Sequence, residues 1–158
     1  VKYPLVVMCT PDGELPAMLR GFARDHRWVL DEVRRSDAVA ARLAAPGPAV
    51  AFWQLDPTAD PPPPLELVAA WRRDLPEAAV VVVSDAKLPP EDRPAWTAQV
   101  LDLGARYVLF PPFTRLVLED LAGGLMAAAV ERLTGRPPDP TPPDPEAIDL
   151  AETGHADD

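Results

Sequence analysis

The chain has 158 residues, 47% of them apolar, and a formal net charge of −10. That length suits one domain plus a tail, and the apolar share is enough for an ordinary core. The acid excess, with no basic run longer than Arg34-Arg35 or Arg72-Arg73, argues against a nucleic-acid surface, and no apolar run approaches a membrane span.

Leu5 to Met8 form an unbroken apolar run closed by Cys9-Thr10-Pro11-Asp12-Gly13, which is turn chemistry, so a buried first strand is expected there. Leu15, Met18, Leu19 and Phe22 recur at helical spacing and predict a helix over Leu15 to His26, with Pro16 tolerated in its first turn. Trp28 to Val33 reads as the second strand, and Ser36 or Asp37 as the cap of a short helix reaching Leu43. Pro46-Gly47-Pro48 breaks the chain before a third apolar run, Ala49 to Trp53, which ends at Gln54. Four prolines, Pro61 to Pro64, then forbid a helix. One is expected just after them, with Leu65, Leu67, Val68 and Trp71 inward. Ala79 to Val83 is the clearest strand: four consecutive valines suit a strand covered on both faces. A helix over Pro94 to Leu103, a fifth strand over Tyr107 to Phe110 and a last helix over Arg115 to Leu133 complete the body. The inner face of that last helix is expected to hold Leu118, Leu121, Leu125, Met126, Ala129 and Leu133.

Five strand–helix units in this order imply an α/β fold. It is read as a flavodoxin-like, doubly wound, five-stranded parallel sheet of order 2-1-3-4-5 with helices on both faces. A ligand site in such a sheet lies beyond the carboxyl ends of the central strands. Those ends are Cys9-Thr10, Gln54-Leu55-Asp56, Ser84-Asp85 and Pro111-Pro112. The domain is expected to span residues 1–136. Residues 137–158 hold seven acids, no Lys or Arg, and a proline-rich opening, and read as an acidic linker or tail that cannot bury a core. Ile148 and Leu150 are its only candidate docking residues.

The segment Gly104-Ala105-Arg106-Tyr107-Val108-Leu109-Phe110-Pro111-Pro112-Phe113 resembles the Gly-Ala-x-x-Tyr-Leu-x-Lys-Pro-Phe segment that closes the phosphoacceptor site of response-regulator receiver domains. The resemblance implies roles for the four corners. In that family two acids after the first strand hold a divalent cation, and an Asp ending the third strand accepts the phosphoryl group. A Ser or Thr after the fourth strand and a Lys after the fifth complete the site. Here Cys9 and Thr10 fall where the acidic pair belongs, and Pro111 stands in the lysine slot. A proline has neither a side-chain cation nor a backbone N–H to hold a phosphoryl oxygen. Ser84 keeps the hydroxyl, but Asp85 follows it where a small residue is usual, and the family's aromatic position is Val108, one residue from Tyr107. The acceptor slot has two readings. Counting forward from Pro48 places Gln54 there, and counting back from Leu65-Glu66-Leu67 lands on Asp56. The forward count is preferred because a strand is less elastic in length than a proline-rich loop.

The resemblance therefore implies a degenerate member, a pseudo-receiver in two-component signalling. Such a module is not an enzyme, carries no cofactor and acts on a protein partner or a second copy. Its expected contact surface is the fourth helix, fifth strand and fifth helix, with Trp96 as anchor and Arg106, Tyr107, Arg115 and Glu119 around it. One alternative is a divergent phosphoacceptor using Asp56, with Asp12 and Asp56 holding Mg²⁺. Another is a small-molecule-binding domain of the same topology, which needs a pocket at the four corners.

Several lesser features have ordinary readings. Cys9 is the only cysteine, which excludes an intramolecular disulfide, suits a reducing cytoplasm and reads as a buried structural thiol. The short apolar opening is not a convincing signal peptide. His26 and His155 are too isolated to suggest a metal site. Asp12, Asp56 and Asp85 could converge as a weak cation site. Gly123-Gly124 follows no strand, so close helix packing is expected there rather than a phosphate loop. The tryptophans Trp28, Trp53, Trp71 and Trp96 read as core or interface residues.

Overall fold

A computed structural model describes residues 3–11, 13–84 and 87–135. Its strands are β1 (Leu5–Cys9), β2 (Val29–Glu32), β3 (Ala49–Leu55), β4 (Ala79–Ser84) and β5 (Tyr107–Leu109). Its helices are α1 (Glu14–Asp25), α2 (Val39–Leu43), α3 (Glu66–Asp74), α4 (Arg93–Leu103) and α5 (Arg115–Thr134). The strands pair in parallel in the order β2-β1-β3-β4-β5, as expected.

The valine run explains why β4 sits inside. Val80 to Val83 are all buried, with odd and even residues feeding opposite layers. Side chains alternate across a strand, so a strand covered on both sides needs apolar residues at every position. Val7, Ala51, Trp53, Val80, Val82 and Val108 face Val39, Val68, Trp71 and Val100 of α2, α3 and α4. Val6, Met8, Val50, Phe52, Val81 and Val83 face Leu15, Leu19, Leu118 and Met126 of α1 and α5. Trp53 and Trp71 meet edge to face, their ring centroids 5.1 Å apart.

Some expectations need correction. Ser36 and Asp37 do not cap a helix: Ser36–Ala38 is a 3₁₀ turn without a side-chain cap, and Asp37 is bound by Arg35 instead. Leu133 is 46% exposed, at the rim of a cavity it shares with Leu43 and Ala49, and Ala122 joins the inner face in the middle of the helix. Gly123 and Gly124 are not at a tight contact, since a Cβ on either would meet nothing within 4 Å. β3 runs two residues beyond Trp53, and Leu55 pairs with Ser84. Gln54 therefore lies within the strand, and Asp56 is the first residue past it. Asp12, Asp85, His155, Ile148, Leu150 and the proline-rich tail lie outside the described residues.

Candidate functional site at the carboxyl edge of the sheet

The register decides which way the corner residues face. Gln54 shares parity with Val50 and Phe52, which face α1 and α5, while Ser84 shares parity with Val80 and Val82, which face α3 and α4. Ser84 is fully buried, and its Oγ accepts a 2.6 Å hydrogen bond from Trp96 Nε1 on α4. The hydroxyl expected at the site is thus committed to the helix beside it. A buried hydroxyl left unpaired is costly, so this bond fixes α4 against the end of β4. Trp96 is half-buried against the α3–α4 layer, with its indole nitrogen turned inward.

Asp56 turns into its own loop. Its Oδ1 accepts from Thr58 N at 2.9 Å and Thr58 Oγ1 at 2.7 Å, and Lys87 Nζ stands 3.4 Å from Oδ2. The Thr58 bonds, aided by Lys87, hold this carboxyl below the usual carboxylate range. Cys9 is 8% exposed, and burial pushes its thiol up, with the Asp37 charge adding to the shift. It is a neutral wall residue at neutral pH, in keeping with a structural thiol. Thr10 Oγ1 is closed off from solvent and has no hydrogen-bond partner among the described residues.

Two cavities open along this edge. The larger, about 430 Å³, lies between the ends of β1 and β3, the turn after β2 and the proline loop; Thr10, Arg34, Ser36, Gln54 and Pro63 line it. The smaller, about 210 Å³, is bounded by Gly13, Glu14, Gln54 and Pro111 to Phe113. Gln54 borders both and Asp56 neither. The Pro111–Pro112 peptide bond in the second wall is cis. No group of three or more His, Cys, Asp or Glu able to hold a metal occurs among the described residues. No described helix is long and apolar enough to cross a membrane.

Sequence reasoning missed three participants. Arg34 and Ser36 follow a short edge strand, where nothing in the pattern marks the chain as returning to the crevice. Lys87 stands three residues past Ser84, a spacing that could have drawn notice to the loop after β4. The expected contact face has a different balance from the one foreseen. Tyr107 is 47% exposed and Arg106 is exposed, but Arg115 is bound at 2.8 Å both by Glu119 and by Asp25 of α1. Leu101, Leu116 and Val117 contribute apolar surface that had not been singled out.

No protein-family model matches the sequence, and neither does any curated protein. Solved structures do match, response regulators and a signal receiver domain among them, with one named an adenylate cyclase. A response regulator from Thermotoga maritima superposes with a TM-score of 0.62 at 14% identity, covering 79% of this chain and 98% of that one. A response regulator protein from Burkholderia multivorans gives 0.59 at 19% identity, over 78% and 95%. The signal receiver domain of a putative Luxo repressor protein from Vibrio parahaemolyticus gives 0.58 at 18%, over 86% and 99%. The fold is accordingly the receiver-type, flavodoxin-like one.

Proposed function

We propose that the chain is a receiver-like regulatory module that works through protein contacts and accepts no phosphoryl group. One observation carries this reading: at the carboxyl edge the crevice is bordered by Gln54, Cys9, Thr10 and Pro111. Phosphoryl transfer to a carboxylate needs a divalent cation on hard oxygen ligands and positive charge around the transferring oxygens. Gln54, Cys9, Thr10 and Pro111 offer no carboxylate to accept the group or anchor the cation and no positive charge of their own, and Arg34 across the larger cavity is the one cation in its described wall. On this reading the protein is not an enzyme, has no resident cofactor and acts in the cytoplasm. Its protein partner, or a second copy, meets α4, β5 and α5, where Leu101, Tyr107, Leu116 and Val117 leave apolar surface with Arg106 at the rim.

A second reading has one observation in its favour. Asp56 stands just past β3 with Lys87 3.4 Å from its carboxylate, so a cation is already at hand. In that case Asp56 is the acceptor and Asp12 helps to hold Mg²⁺. Acetyl phosphate with Mg²⁺ separates the two. The expected result is an unchanged intact mass. A stoichiometric gain of one phosphoryl group, lost in Asp56→Asn, would establish the second reading instead.

A further inference from the structure

We propose that the larger cavity binds a small organic carboxylate, a monoanion with a compact apolar body, gripped by Arg34 and seated against Thr10 and Gln54. The volume comes first. At about 430 Å³ the cavity falls within the roughly 300–1,000 Å³ of small-molecule sites. The chemistry of its wall comes second. Arg34 is exposed and makes no close ion pair or hydrogen bond among the described residues; its charge acts at a distance on Glu32, which Arg20 forks. Ser36 and Gln54 add a hydroxyl and an amide, while Trp53, Leu55, Pro63 and Pro64 add apolar surface. No described wall residue is acidic, and the Cys9 thiol is neutral because burial disfavours its thiolate.

The third observation is the unpartnered Oγ1 of Thr10. A buried hydroxyl without a partner is uncommon. Thr10 itself is part of the cavity wall, beside Gln54.

The class follows from what the wall lacks as well. A guanidinium matches the two oxygens of a carboxylate as a planar fork. A phosphoryl dianion calls for more charge than one arginine, and the described wall has no second cation. A nucleotide would need a glycine-rich turn opening a long helix; α2, the helix beside this cavity, has only five residues. The overall charge of −10 repels anions at a distance, but screening limits that field to about 8 Å at physiological salt. Recognition therefore falls to the local guanidinium. This site uses none of the phosphoacceptor chemistry, so its failure would leave the interaction-module reading intact.

The test titrates benzoate into the full ¹⁵N-labelled chain at physiological salt, with benzamide and inorganic phosphate as comparators. Saturable shifts are expected at the amides of Thr10, Arg34, Ser36 and Gln54, with benzamide and phosphate each at least about tenfold weaker. Arg34→Gln changes an exposed side chain, leaves the fold in place and is expected to weaken benzoate by about tenfold or more. Thr10→Val is expected to weaken it less. Absence of saturation by about 50 mM, equal binding of benzamide or phosphate, or unaltered affinity in Arg34→Gln each overturns the proposal.

Discussion

Gly104 shows how a single position can be fixed twice over. Its φ of 119° lies in the left-handed region, and a Cβ there would come within 2.8 Å of Arg72 Cβ on α3. Arg72 cannot swing its own Cβ away, so the backbone would have to move. Gly104→Ala is expected to destabilise the fold by about 1–3 kcal/mol, read as a lower urea midpoint with an unchanged slope. The glycine of the family-like segment is thus explained by packing and backbone geometry alone. Two residues further on, Arg106 N donates to Val80 O and begins the pairing of β5 with β4. Gly104 and the start of β5 thus serve packing and sheet pairing.

At the scale of elements, the glycine pair in α5 has the opposite character. Gly123 and Gly124 are surrounded by open space in the isolated chain, within a helix of 20 residues. Glycine in a helix interior costs about 1 kcal/mol relative to alanine. Gly123→Ala and Gly124→Ala are each expected to raise stability by roughly that amount, measured by thermal or chemical unfolding. A loss of stability in either would mean that a neighbour occupies the space. Strands were more legible than sites. The valine run, the proline breaks and Gly104 marked β4, the loop into α3 and the entry to β5, because each acts through local geometry. The end of β3 was less legible. A strand buried on both faces carries no period-two signal, so Ala49 to Leu55 does not reveal in one dimension which residue is last. That is why Gln54 and Asp56 competed for one slot.

On the scale of the whole molecule, two apolar layers drawn from the described residues enclose one sheet. The acidic tail is therefore expected to be dispensable for folding. Deleting residues 137–158 should leave the unfolding free energy within about 0.5 kcal/mol of the full chain, while removing seven acids and no Lys or Arg. A larger loss, followed by urea titration, would show that the tail completes the core. Fold class and strand order were legible at this scale because five strand–helix units have few right-handed arrangements. The binding cavity was not, because it joins residues from β1, the turn after β2, β3 and the proline loop. Those segments are brought together only by the strand crossing from β2 over β1 to β3.

The Trp96–Ser84 hydrogen bond has an optical consequence. The indole nitrogen reports directly on the contact between α4 and the tip of β4. Any event that draws the serine oxygen elsewhere must release that nitrogen to another partner. The emission of Trp96, isolated by replacing the other three tryptophans with phenylalanine, would therefore register motion at the carboxyl edge without an added dye.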